Sequence, residues 1–552
     1  MFQRPLKDSL LEFGRRAAVG AFCFFLLSCS AYKPVGDENY IGPRSVQPAA
    51  QAQPAAPASK PASKPAAATA GTPASRGPLE LTTVNAIVLG LENNQALRVE
   101  RLNPIIQRTF EDQQRAAFDP VLGAELSKGR TETERVGPVV SVTDNWAGQI
   151  TLNEFLPTGT SIALAGTTSL VDATGTGESD ATRLGLSINQ SLLRGFGLDV
   201  NLASLRQARL DTFSSQYELR GFAQSLVAQI ESTYWDLSLA HRQIDIVTQS
   251  LKLAQQQLEQ TQEYIKAGKL AGTEIAAARA EVALRYEELI NARSAYQTTK
   301  LQFLRLINVS DGDFWRKEVL LKSEPVAPEI KTEPVEIHVE VAMRMRPDLN
   351  QARLTIQKGE LELVKTRNGL LPQMDLFINL GKTGYAQSFG GTLRHLSSDD
   401  SHDVTAGVVF SYPLGNRSAI AQHTNASVSY EQSKEAQVNL EQLAQLDVRT
   451  AYIEVTRLNE QVAATAATRE LQEETLRVET EKYRVGKSTA LLVAQAQRDL
   501  LTSQIVEVRA MASYLKAFVN LYLLDGSLLE RRGIGAPGRE PFYSLGNSGP
   551  SR

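Results

Sequence analysis

Cysteine is the residue type with the most reactive chemistry in this 552-residue chain, and only Cys23 and Cys29 occur. Cys29 closes the run Leu26-Leu27-Ser28-Cys29. That run resembles the bacterial lipobox, a small residue directly before a cysteine whose thiol is acylated and becomes the mature N-terminus. Upstream, Arg4, Lys7, Arg15 and Arg16 make a positive n-region, and Ala17 to Leu27 make an apolar h-region. At about eleven residues the apolar run is too short to span a bilayer. Cys23 lies inside it, so cleavage before Cys29 leaves one cysteine, occupied by lipid, and no disulfide framework. Ser30 stands where aspartate would signal inner-membrane retention in enteric bacteria, which points to an outer-membrane address. The lipid on Cys29 is the only cofactor the sequence asks for.

Other chemistry is sparse. The five histidines, His241, His338, His395, His402 and His423, lack zinc-ligand spacing. His395, Asp399, Asp400, His402 and Asp403 gather in one stretch, which fits a solvated loop better than a cation site. There is no G-x-S-x-G and no phosphate-cradling glycine loop. A net charge of -3 gives no footprint for a nucleic-acid partner. Mean hydropathy of -0.22 and 7% aromatic residues exclude a polytopic helical membrane protein. No window after the leader offers some 18 consecutive apolar residues, so any second membrane crossing must be a β-barrel.

The elements that would position a function come twice. Leu97 to Leu349, Leu102 to Leu354 and Pro120 to Pro372 are each offset by 252; Tyr234 to Tyr452, Leu258 to Leu476 and Gly268 to Gly486 by 218. A duplication with one 34-residue insertion, between Pro120 and Tyr234, accounts for both offsets. The division is a signal peptide over 1–28, a disordered Ala/Pro/Ser-rich tether over 29–78, a first repeat over 79–310, a linker over 311–333, a second repeat over 334–525 and a disordered tail over 526–552. Each repeat opens with a helix, about Thr82–Phe118 and Pro334–Leu370. Period-two strands follow: Leu184, Leu186 and Ile188; Met374, Leu376, Ile378 and Leu380; Val404, Ala406, Val408 and Phe410. Polar loops, Ser169–Ala181 and Gly381–Asp403, separate them. Each strand has one apolar face and no second sheet to cover it, the dyad pattern of a membrane barrel. An additional pair, Trp146–Leu152 and Thr160–Leu164, is joined by Leu156-Pro157-Thr158-Gly159 and either extends that sheet or forms a small one beside it.

Long helices complete each repeat, about Val200–Lys266 and Thr273–Asn308 in the first. Their seams step by 3 and 4: Ile244, Val247, Leu251, Ala254 and Leu258; Val282, Tyr286, Leu289, Arg293 and Tyr296; Leu501, Ile505, Val508, Ala512, Leu515, Val519 and Tyr522. Such heptads give left-handed coiled packing. Gly268 and Gly486 can end helices at φ > 0, with Thr273 and Thr489 capping the next ones.

At these residues the chain resembles the TolC-like outer-membrane efflux family over about Leu79–Asp525. The strand-to-helix corners look like Gln190-Ser191-Leu192-Leu193-Arg194-Gly195-Phe196-Gly197 and Tyr412-Pro413-Leu414-Gly415-Asn416-Arg417. The periplasmic turns look like Gly268 to Ile275 and Tyr483 to Thr489. The resemblance implies a mixed fold, a membrane β-barrel plus a long α-helical coiled-coil barrel, built by a homotrimer. Each protomer would give four strands to a 12-stranded barrel and four helical strands to a 12-helix tunnel. It also implies a periplasmic adaptor docking at the turns, an inner-membrane pump as partner, and contact with outer-membrane lipid. In the best-known member a tyrosine, an arginine and paired aspartates close the tunnel. Here Tyr483 and Glu274 match the tyrosine and an acidic partner, but Ser488 replaces the arginine, and Leu492 and Gln495 replace the aspartates. A gate here is expected to close by packing or dewetting. The competing readings are a pore-less periplasmic adaptor or coiled-coil structural lipoprotein, and a lipid-anchored periplasmic enzyme.

Overall fold

The computed structural model describes residues 42–43, 79–134, 140–174, 177–308, 314–325, 333–398 and 401–538. Cys29, the leader and nearly all of the tether lie outside the described residues.

Each half opens with helices that break where one continuous helix was expected. In the first half these are α1 (Thr83–Asn93), α2 (Gln95–Glu100) and α3 (Asn103–Arg115). Asn94 leaves the helical region at φ -63, ψ 121, and its Oδ1 accepts from the Leu97 amide at 3.1 Å, capping α2. Strands β1 (Val121–Glu134), β2 (Val140–Leu156), β3 (Thr160–Ala173) and β4 (Gly177–Ser191) follow. Then come α4 (Ala203–Lys266) and α5 (Glu274–Ile307). The second half opens with α6 (Val335–Met345) and α7 (Pro347–Gly369), split at Arg346 with φ -60, ψ 125. That is the extended shape into which a following proline drives its neighbour. Asn94 and Arg346 are the same landmark in the two repeats, so one break is made with two chemistries. The half ends with β5 (Gln373–Ala386), α8 (Phe389–Ser398), β6 (His402–Ser411), α9 (Arg417–Arg484) and α10 (Ala490–Leu524).

Helices α4 and α9 have 64 and 68 residues. At 1.5 Å per residue they are rods of about 96 and 102 Å. Val247, Leu251, Leu289 and Leu501 form one buried layer between α4, α5 and α10, with Ile244, Val282 and Ile505 against it. The seam of α5 differs from the expected one. Tyr286 and Arg293 are exposed, and the buried stripe runs through Ala278, Glu281, Arg285 and Leu289. Arg285 bonds Glu281 at 2.6 Å and Glu288 at 2.7 Å, so paired charge rather than hydrocarbon fills part of that stripe.

A collar core joins the halves. Leu81, Ile87, Leu91, Leu97, Leu219, Ile230, Tyr234, Phe303, Leu521 and Leu528 are fully or almost fully buried in it. Leu79–Leu81 pairs in parallel with Val319–Leu321, and the Tyr234 hydroxyl donates to the Leu81 carbonyl at 3.1 Å. The tail expected to be disordered from residue 526 is packed as far as Gly538. Leu528 and Leu529 enter the core, Glu530 pairs with buried Arg220, and Arg532 pairs with Glu231. Ile534–Gly535 pairs with Gly42–Pro43, within the segment expected to be an unstructured tether.

Candidate functional site

The sheet has six antiparallel strands in the order β1-β2-β3-β4-β5-β6, where the resemblance implies four. The additional pair is β2 and β3. Val140 to Ala173, strands of 17 and 14 residues with a three-residue turn, comes to the 34 residues by which the repeat offset drops. The pair is built into the sheet, not beside it. Leu122, Leu152, Leu164, Leu186, Leu380 and Val404 stand opposite one another in successive registers, one apolar row across all six strands. On the other face the adjacent rows read Gly123, Thr151, Ala165, Gly185, Gly381, Asp403 and Glu125, Gln149, Thr167, Arg183, Thr383. One face is therefore suited to hydrocarbon and the other to water. On the wet face Arg183 makes a bidentate pair with Asp403 at 2.5 and 2.6 Å. Gly381 leaves the room, because a Cβ there would meet the Arg183 guanidinium at 2.3 Å.

The stretches expected as polar loops are shorter than predicted. Strands β3 and β4 continue to Ala173 and from Gly177, and Gly381–Asp403 holds the end of β5, helix α8 and the start of β6. Ladder hydrogen bonding carries the strands past the apolar rows, where side-chain alternation loses its signal. Helix α8 lies on the apolar-row face, with Thr392 bonded to Thr182 at 2.7 Å over Gly384.

The sheet meets the helices at corners held by asparagines. Asn201 Nδ2 lies 2.8–3.1 Å from the carbonyls of Pro157, Gly195 and Gly197. Asn368 accepts from the Gly195 amide at 2.7 Å, and Asn416, at φ 35, donates to the Leu370 carbonyl at 3.1 Å. The β2–β3 turn is thus tied into the first corner. The corner segments were legible in the sequence; Asn201 and Asn368 were not, since a single asparagine carries no spacing signal.

At the far end of the rods, α4–α5 and α9–α10 turn in matching fashion. Gly268 (φ +68) and Gly486 (φ +77) follow the helix ends. Lys269 donates to the Tyr264 carbonyl and Lys487 to the Lys482 carbonyl, both at 2.8 Å, while Gly268 and Gly486 bond Ile265 and Tyr483 at 3.0 Å. Both are Schellman closures. The restarts differ. Thr489 is extended and its Oγ1 accepts from the Leu492 amide at 3.4 Å, whereas Thr273 sits in the helical region and makes no capping bond, contrary to expectation.

Among the gate candidates, Tyr483 is buried. It packs with Ala490 and Val493, 6.1 Å from the Tyr264 ring, and its hydroxyl has no partner among the described residues. Ser488 donates to Glu479 at 2.9 Å, and Lys482 first, then Ser488, hold the Glu479 carboxyl below its usual range. Glu274 begins α5, half-buried, and forms no ion pair among the described residues. Leu492 and Gln495 are exposed together on one face of α10, beside Leu491.

A two-faced sheet set on rods of about 100 Å defines a channel protein that joins a membrane segment to a long helical duct. Comparison places it further. The outer membrane efflux protein model matches residues 86–309 and 339–527. The chain belongs to that family: it is an exit duct of the bacterial outer membrane, a transport protein. It is 23% identical over 456 residues to the probable efflux pump outer membrane protein TtgC of Pseudomonas putida, covering 81% of this chain and 83% of that protein. Its fold matches the Campylobacter jejuni CmeC outer membrane channel with a TM-score of 0.62 at 14% identity, covering 82% of this chain and 89% of that one. Vibrio cholerae VceC matches with a TM-score of 0.60 at 16% identity, covering 80% and 96%. The adaptor reading is set aside by this membership, and the family is one of channel and transport proteins rather than enzymes.

Proposed function

We propose that three copies of this chain close into one duct that carries solutes from the periplasm to the exterior. It serves an inner-membrane pump through a periplasmic adaptor docked at the Gly268–Thr273 and Gly486–Thr489 turns. The observation that supports this is the open sheet. Among the described residues, strands β1 and β6 each pair on one side only, so the sheet ends in two free edges. In hydrocarbon every ladder group must be satisfied, and a sheet with one apolar face must close. The outer edge of each copy pairing with the opposite edge of the next closes a ring under threefold symmetry. Acylation of Cys29 adds an anchor, and the barrel anchors the rest.

At the tips, Leu492 and Gln495 of three copies converge and close the duct by excluding water. Tyr483 supports this ring by packing between hairpins. The purified protein in detergent should run as a heat-modifiable trimer and form pores in planar bilayers. A monomer would defeat the reading, and a trimer that stays closed when Leu492 is replaced by Asp would place the constriction elsewhere. Mass spectrometry of the mature N-terminus checks Cys29 independently.

A further inference from the structure

We infer that the membrane barrel has eighteen strands, not twelve, and that its mouth is as wide as the helical duct, so that solute size is limited at the helix tips and not in the membrane. This rests on the trimer proposed above. It starts from the hairpin of β2 and β3, which the duplication leaves without a counterpart in the second half.

Three observations place that hairpin in the barrel wall. Leu152 and Leu164 occupy the second and third of six places in the apolar row only because β2 pairs with β1 on one side and β3 with β4 on the other. Without them Leu122 and Leu186 would belong to neighbouring strands. The wet face is continuous as well, since Thr151 and Ala165 stand between Gly123 and Gly185. Finally, the hairpin's own turn is bonded to the corner through Asn201, as an element of the wall would be.

Width follows from spacing. Strands about 4.8 Å apart and tilted by about 40° each take roughly 6.3 Å of circumference, so eighteen give about 110 Å and twelve about 75 Å. Four helices of each copy meet the sheet, α3, α4, α7 and α9. Twelve helices at 8–10 Å spacing take roughly 100–120 Å. The eighteen-stranded ring therefore meets the helical ring at equal width, where a twelve-stranded one would narrow it by about a third. The wet rows are mainly glycine, alanine, threonine and uncharged polar residues; Arg183 and Asp403 neutralise each other, and Glu125 is the charge left in those two rows. Such a mouth, with one net carboxylate from each copy in these rows, selects little by charge and not by tight fit. The class of cargo it suits is bulky solute, with discrimination left to the tip and the pump.

Counting strands in a cryo-EM map of the full chain in lipid nanodiscs is the direct test. Eighteen strands in a threefold particle establish the inference. Twelve strands with residues 140–173 outside the wall overturn it and leave the duct intact. A particle without threefold closure refutes the duct reading itself. A thiol-labelling pair reads the same point in intact membranes. Thr151→Cys should react with a membrane-impermeant maleimide when the tip is opened by Leu492→Asp, and Leu152→Cys should stay at the background of the parent. Equal reaction of both would place the hairpin in water and overturn the inference. In the same open-tip background, removal of Val140–Ala173 should reduce the barrel diameter to about two-thirds, visible as lower single-channel conductance. Unchanged conductance in an assembled trimer counts against it.

Discussion

The two halves of this chain build nearly the same rods and turns but different amounts of wall. The second half sets two strands between its helices; the first sets four, and both contribute to a single sheet. At the helical end the halves differ by less: both turns close through a positive-φ glycine, and only the second restarts on a side-chain cap. The comparison teaches where the duplicated architecture tolerates change. A hairpin can enter a sheet wherever its residues keep the dyad pattern, because each added strand brings its own ladder partners. Rods packed over about 100 Å admit no such insertion without breaking a seam. Growth is cheap in the wall and costly in the duct.

The comparison breaks most visibly if the row through the inserted hairpin is not a lipid-facing row. Leu186→Arg places a charge in the middle of that row, where a midplane arginine costs roughly 2–4 kcal/mol. The expected result is loss of the assembled trimer from outer-membrane fractions. Ser187→Arg, on the opposite face, should assemble normally and alter ion selectivity only. The same contrast within the hairpin, Leu164→Arg against Ala163→Arg, should reproduce it if the insertion is wall. Equal damage on both faces would refute the assignment.

A second contrast uses the end of the molecule where the halves agree. Leu492 is the third residue of α10, and its amide is bonded to the Thr489 cap. An acidic residue in the first turn favours the helix dipole, so Leu492→Asp should not unravel the restart. It should instead wet the tip and raise resting conductance in planar bilayers. Glu274→Gln, at the uncapped restart of α5, should change conductance much less. If the leucine variant assembles and stays closed, the constriction lies elsewhere.

Much of this was legible in the sequence, and the misses have physical causes. The repeat, the rods, both turn glycines and the alternating faces follow from periodicities that backbone geometry enforces. The 34-residue offset drop also announced a hairpin, but offset alone says nothing about whether added strands pair into an existing sheet. That answer lies in the register between Leu122, Leu152 and Leu164, which is a tertiary fact. The break at Asn94 was hidden because one asparagine costs little in a helix; Arg346-Pro347 was the clearer sign at the equivalent position. The tail gives no periodic signal of its own, yet Leu528 and Leu529 are buried and Arg532 is paired, contacts that depend on the collar core they meet. The stripe through Glu281 and Arg285 is charged and carries no apolar heptad signal.

The difference between the two restarts gives a smaller, cleaner comparison. Thr489→Ala removes an acceptor for an α10 amide and should cost about 1 kcal/mol, within the usual 0.5–2 for a threonine cap. Thr273→Ala removes no capping bond and should be silent. Chemical denaturation followed by tryptophan-independent circular dichroism can read the pair, and equal losses would show that α5 is capped after all.

The smallest effect is expected at Tyr483, and it separates two accounts of the gate. The resemblance makes this tyrosine half of a polar lock, whose hydroxyl would bond across the tip. In this chain its ring is buried against Ala490, Val493 and Tyr264, and its hydroxyl has no partner among the described residues. A buried polar group without a partner costs about 1–3 kcal/mol, so removing the oxygen should be neutral or slightly stabilising. Tyr483→Phe should therefore keep trimer melting at or above the parent value and leave resting conductance unchanged. Tyr483→Ala should lower melting, because it empties the space the ring fills. A polar lock predicts the reverse ranking for conductance: a leak in the phenylalanine variant as large as in the alanine one. That outcome would return the gate to hydrogen bonding and take it away from Leu492.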